Sequence, residues 1–151
     1  MITGDLVPDF SAVDQSGAQV TLSGLLEAGP IVLFFYPKAM TTGCTKESCH
    51  FRDLAGEFAE VGAQRVGISA DTVEKQAKFD AKNSLGFPLL SDTDKAIAAI
   101  FGVKRMGPLM NKRSTFVIGT DRRLLAVIAS ELNMDMHADQ ALDVLRSPAS
   151  A

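Results

Sequence analysis

The run Ile31-Val32-Leu33-Phe34-Phe35-Tyr36 is apolar at every position. That pattern predicts a strand buried on both faces, because a surface strand alternates polar with apolar residues. Pro37 ends it, since proline cannot donate to a sheet ladder. Past Thr41-Thr42-Gly43, a helix start signal, apolar and small residues recur at helical spacing: Cys44, Glu47/Ser48, Phe51, Leu54/Ala55, Phe58 and Val61. They predict one inward stripe on a helix running from near Cys44 to near Gly62. A thiol thus falls on the first turn of a helix, just past the carboxyl end of a central strand. Sites of open α/β sheets gather at that edge.

The remaining pattern fills in around this unit. Phe10 to Gln15 and Ala18 to Leu22 flank Ser16-Gly17 as an N-terminal β-hairpin. Leu22 to Leu26 reads as a short helical turn, and Arg65 to Ser69 as a second buried strand. Thr72 through Ser84 has a weak helical stripe at Val73, Gln76/Ala77, Asp80 and Ser84. Pro88 to Ser91 is a short strand or loop, followed by a helix near Asp94 to Phe101 that Asp92 or Thr93 could cap. Thr115 to Ile118 and Leu124 to Ala129 form a hairpin. His137 to Arg146 closes the chain as a helix with Ala138, Ala141, Leu142 and Leu145 inward, and Ser147 to Ala151 is a frayed end. This order predicts the α/β class: a central mixed β-sheet flanked by helices, with a thioredoxin-like fold as the natural candidate. At 151 residues the chain is expected to be one domain, 1–151, burying roughly 70% of its unfolded surface.

Composition narrows the function classes. A formal charge of −3 and an isoelectric point near 5.3 argue against nucleic acid or an anionic membrane as partner. MITGDLVPDF carries no basic region followed by an apolar run, and no apolar stretch approaches the roughly 18 residues of a membrane span. The expected location is the cytosol. There, two cysteines point to catalysis, redox activity or metal binding rather than to a structural staple. Cys44 sits where free backbone N–H groups and the helix dipole stabilise an anion. A packed core cysteine is the competing reading.

Pro37, Thr41 and Cys44 fit the pattern Pro-x-x-x-Thr-x-x-Cys, and Arg113 stands directly before Ser114-Thr115-Phe116-Val117-Ile118. The combination resembles the active site of peroxiredoxins. Cys49 is similar in placement to the resolving cysteine of the peroxiredoxin Q (bacterioferritin comigratory protein) branch. Gly4-Asp5, Pro8-Asp9-Phe10, Val66-Gly67-Ile68-Ser69 and Phe87-Pro88-Leu89-Leu90-Ser91-Asp92 extend the likeness along nearly the whole chain. One departure is Thr42, where the branch has proline, which leaves the loop less rigid. The resemblance implies a thioredoxin-like fold and a peroxidase acting on hydrogen peroxide and alkyl hydroperoxides. It also implies a peroxidatic Cys44, a resolving Cys49 that closes an intramolecular disulfide, and reduction by thioredoxin or a similar dithiol. No haem, flavin or metal is implied, and the assembly is a monomer or weak homodimer.

Cleaving a peroxide O–O bond requires an anionic sulfur, a hold on both oxygens and stabilisation of the charge on the leaving one. Arg113 suits this because it stays charged when buried and has a fixed fork of donors. The Thr41 hydroxyl can hold a peroxide oxygen or the sulfur, Pro37 can shield the thiolate, and Glu47, one turn on, can orient Arg113. The plainer roles are a helix cap, a strand terminator, a surface cation and a first-turn acid. His50 beside Cys49 suggests a metal set with Cys44, but no second clustered pair completes it. His137 reads as a structural helix-start residue. Cys49 falls on an outer face with Arg52/Asp53, Gly56 and Glu60. Five residues of helix put its Cα about 8.7 Å from that of Cys44, beyond the roughly 7 Å reach of a disulfide, so the bond requires the first turns to unwind. Met106-Gly107-Pro108-Leu109-Met110 is either a site wall or partner surface, or a lid on the core. Two other functions fit a reactive thiol: a thioredoxin-like dithiol oxidoreductase and a peroxide-sensing relay. Against the first, Ser114 stands where that family's cis-proline is expected.

Overall fold

The computed structural model describes residues 1–107 and 109–147. Pro108 of the apolar loop and residues 148–151 of the expected frayed end lie outside them. Among the described residues seven strands form one mixed sheet in the order β2-β1-β5-β4-β3-β6-β7. The strands are β1 (Ser11–Val13), β2 (Gln19–Thr21), β3 (Ile31–Phe35), β4 (Gln64–Ser69), β5 (Leu89–Ser91), β6 (Ser114–Ile118) and β7 (Leu124–Ala129). The helices are α1 (Leu22–Leu26), α2 (Thr42–Asp53), α3 (Ala55–Glu60), α4 (Val73–Asn83), α5 (Ala96–Phe101) and α6 (Met134–Arg146). None of them is long and apolar enough to cross a membrane.

β3 lies inside the sheet, parallel to β4 and antiparallel to β6. Its uniform hydrophobicity follows from burial on both sides. Ile31, Leu33 and Phe35 enter a core cluster with α1 and α5, while Val32, Phe34 and Tyr36 enter a second one with α2, α4 and α6. Phe34 stacks on Phe51 of α2 with centroids 4.1 Å apart. This pins the helix carrying Cys44 to the strand before it.

Three expectations need correction. The single helix from Cys44 to Gly62 is two, broken at Leu54 (φ −94°, ψ 19°). Arg65 Nη1 takes the carbonyls of Phe51 and Arg52 at 2.9 and 3.4 Å, which the next helical N–H groups would otherwise use. In α4 the buried residues are Gln76 and Phe79. Asp80 instead faces outward enough to bond Gln15. Met106, Leu109 and Met110 are exposed, so these residues do not form a lid on the core.

The expected capping role of Asp92 is present. Its carboxylate accepts from the N–H groups of Ile97 and Ala98 at 3.0 and 2.9 Å. The N-terminal hairpin and the β6–β7 hairpin form as expected.

Candidate active site

The segment from Pro37 to Thr41 carries the chain from the end of β3 into α2. It is held from below by buried Asp71, whose Oδ2 accepts from the Ala39 N–H at 2.7 Å and from the Ser69 hydroxyl at 2.6 Å. Gln76 completes this buried network, donating to Ser69 Oγ and the Leu90 carbonyl and accepting from the Tyr36 hydroxyl. The Thr41 hydroxyl donates to the Lys38 carbonyl at 2.7 Å. Met40 between them takes φ 69°, a left-handed conformation costing on the order of 1 kcal/mol for a non-glycine residue. These bonds on either side of Met40 hold it there.

Thr41 is the N-cap residue of α2 by position, yet its side chain makes no cap bond, so the first-turn N–H groups remain free for an anion. Cys44 lies in that turn, 1% exposed. Arg113, at the start of β6, reaches it across the fold: Nη2 is 3.3 Å from Cys44 Sγ and Nη1 donates to Glu47 Oε1 at 2.7 Å. Burial works against the guanidinium's charge, but Glu47 and the thiol hold its pKa above the ordinary value. Arg113 Nε is buried without a hydrogen-bond partner, a third donor of the same fork directed at neither Cys44 nor Glu47. Pro37 lines a cavity of about 270 Å³ with Lys38, Ala70, Asp71, Lys95, Met110 and Asn111.

Three of the sequence-derived residues therefore meet: Cys44, Glu47 and Arg113 are in direct contact, while Thr41, three residues before the cysteine, turns its hydroxyl to the Lys38 carbonyl. Cys49 does not join them. It is half-buried, with Sγ 3.7 Å from Asn83 Oδ1 at the end of α4, so its face is covered by α4 rather than fully open to solvent. His50 also points away from Cys44 and pairs with Asp139 of α6 at 2.8 Å.

Two site residues escaped the sequence reading. Gly43 leaves room for the arginine, since a Cβ there would lie 3.3 Å from Arg113 Nη2 and 3.4 Å from Met134 Cε. Its place directly before the cysteine was the available signal. His137 lies inside α6, which starts at Met134 rather than at His137, and it is fully buried, with Nδ1 3.6 Å from Glu47 Oε2. Burial, the largest influence, pushes the Glu47 carboxyl up to about 8 against the pull of Arg113. Burial likewise lowers the His137 imidazole.

A family model described as AhpC/TSA family matches residues 3–127. The chain is 62% identical to peroxidoxin BcpB from Mycobacterium tuberculosis, whose crystal structure superposes with a TM-score of 0.93 over 97% of both chains. PrxQ of Xylella fastidiosa aligns with a TM-score of 0.90 at 29% identity, covering 99% of this chain and 98% of that one. Peroxiredoxin Bcp of Escherichia coli K12 is 37% identical over 152 residues, 97% of this chain and 96% of its own length. The fold they share with this chain is thioredoxin-like.

Proposed function

Since the chain belongs to the AhpC/TSA family and is a thiol peroxidase of its Bcp and peroxiredoxin Q branch, we propose that it reduces hydrogen peroxide and alkyl hydroperoxides through Cys44. The observation that carries this reading is the placement of Arg113 Nη2 3.3 Å from a buried Cys44 Sγ at a helix start. A thiolate there faces a fixed cation and the free N–H groups of α2. As it attacks one peroxide oxygen, the S–O bond forms, the O–O bond breaks, and the sulfur is oxidised to a sulfenic acid. The departing oxygen takes a proton and leaves as water or alcohol. Arg113 Nε, buried and unpaired, supplies a donor to the peroxide oxygens, and the Thr41 hydroxyl oxygen, whose own proton goes to the Lys38 carbonyl, accepts the peroxide's hydrogen. Pro37 screens the site from water, and Glu47 orients the guanidinium.

Cys49 then attacks the sulfenic sulfur, closing a disulfide with loss of water. Thioredoxin or a similar dithiol protein reduces the disulfide. The Cys49 sulfur rests against Asn83, so this step needs the first turns of α2 to open. The protein acts in the cytoplasm, as one domain, alone or as a weak homodimer.

Peroxide consumption coupled to thioredoxin and its reductase tests the proposal. Wild type turns over stoichiometrically with peroxide, and Cys44→Ser, whose hydroxyl is not ionised near neutral pH, loses the activity. Near-wild-type turnover in that variant would refute the assignment.

A further inference from the structure

Glu47 and His137 meet inside the protein with one acceptor facing another. His137 Nε2 lies 2.8 Å from the Ser130 carbonyl, which only accepts, so Nε2 carries the hydrogen. In a neutral imidazole Nδ1 is then a lone-pair site. It lies 2.8 Å from Thr115 Oγ1 and 3.6 Å from Glu47 Oε2. Glu47 Oε2 has no hydrogen-bond partner, although Oε1 accepts from Arg113. Both side chains are fully buried, at 0% exposure. The Thr115 hydroxyl can satisfy Nδ1, but a carboxylate oxygen beside that lone pair, with no donor of its own and shut off from water, is a costly arrangement. One proton on either atom removes the conflict.

Building on the reading of Cys44 as peroxidatic, we propose that His137 is a positioning residue: with Glu47 it holds one buried proton behind Arg113, so that the guanidinium's charge is left for the Cys44 thiolate. An ionised Glu47 would neutralise Arg113 from the far side and repel negative charge on the sulfur. A Glu47–His137 pair that shares a proton does neither. Burial raises Glu47 and lowers His137, so of the two the carboxyl is the one that keeps the proton.

The other charged groups facing this pair are few. From α2 come Glu47 itself and Cys44, and from the start of β6 comes Arg113. The β7–α6 connection contributes Glu131, already engaged by the Arg113 backbone N–H and by Arg105. On α6, Asp139 is taken by His50 and Asp135 lies in the first turn.

The rate constant for peroxide reduction, followed from about pH 6 to pH 10 alongside thermal melting, tests the proposal in wild type and His137→Asn. Asparagine can place its amide N–H where Nδ1 stood, toward Glu47 Oε2, and it does not titrate. An amide N–H donated to Oε2 favours the carboxylate, so Glu47 ionises at a lower pH than in wild type. In wild type the rate constant falls as pH rises through about 8, where Glu47 gives up its proton. In His137→Asn it is already about tenfold lower at neutral pH, the thiolate absorbance is reduced, and the alkaline fall is gone. A variant that melts earlier but keeps the wild-type rate and pH profile would show a merely structural histidine and overturn the proposal.

If the variant does not fold, imidazole nitrogen NMR on wild type decides. Ring signals of His137 that shift across the range where the rate falls support the shared proton, and flat signals reject it. A wild type inert towards peroxide would instead refute the proposed function, and the NMR titration would still judge the Glu47–His137 pair.

Discussion

A guanidinium can hold two partners at once because its donors form a planar fork, and Arg113 does so between Glu47 and Cys44. Lysine has the charge without the fork. Arg113→Lys therefore satisfies one of the two, and Arg113→Ala neither. The alanine variant should lower the rate constant for peroxide by about 10²-fold or more, the scale of one lost transition-state donor, with lysine recovering only part. Stopped-flow kinetics on the folded variants check this, and an unchanged constant would leave Arg113 with no part in the chemistry.

At this scale much was legible. Pro37, Thr41 and Cys44 stand within one short stretch, and Glu47 follows at one helical turn. His137 was not legible, because a histidine between Asp135 and Asp139 looks alike whether it is solvated or buried against a carboxylate. Only the packing of α6 along α2 distinguishes the two. Arg113 was placed by resemblance, since nothing local separates a site arginine from a surface one.

Helix α2 is anchored unevenly. Phe51 near its end stacks on Phe34 and on Phe58, and Arg52 donates to the Asn83 carbonyl at 2.7 Å. Its first turns depend on Arg113 and on the His50–Asp139 pair. The opening required for the proposed disulfide should therefore stop before Phe51. Amides of residues 44–50 should exchange with solvent faster in the disulfide form than in the dithiol form, while those around Phe58 stay protected. Hydrogen exchange with mass spectrometry on the two redox forms measures this, and protection throughout 44–50 after oxidation would rule out the unwinding.

The helix was readable from its spacing, but its break at Leu54 was not. The break comes from Arg65, a residue of β4 that reaches the carbonyls of Phe51 and Arg52, and hydrophobic periodicity carries no trace of such a contact. Phe79 was missed for a related reason. The stripe assigned to α4, Val73, Gln76/Ala77, Asp80 and Ser84, took in Gln76 but passed over Phe79, the other buried residue.

For the whole molecule, burying one carboxyl links chemistry to stability. Glu47 titrates near 8 when folded, against an ordinary value of 4.5. Between those values the folded chain holds a proton that the unfolded chain releases, so stability falls as pH rises through the window. His137, lowered from 6.5, acts oppositely, but only below its unfolded value. Above about pH 6.5, then, Glu47 dominates between the two. Urea midpoints should decrease from pH 6.5 to pH 8.5 in wild type and change less in Glu47→Gln, which has no proton to lose. Equal slopes in the two proteins would place the linkage elsewhere. The layering that makes this burial possible was legible: an apolar β3 demands cover on both faces, and α2 and α6 supply it on the side of the cysteine.

Cys44 and Glu47 both ride on α2, whereas Arg113 and His137 belong to β6 and α6. If the first turns of α2 unwind for the proposed disulfide, a buried guanidinium and a buried imidazole lose their partners, and refolding the helix restores them. Around a thermodynamic cycle, whatever favours the dithiol over the disulfide raises the reduction potential of the pair. The arginine proposed to ready the sulfur for peroxide would thus also make the proposed disulfide a better electron acceptor. Attack and recharging would draw on the same buried contacts, so weakening them should slow the attack and lower the potential at which the disulfide is recharged.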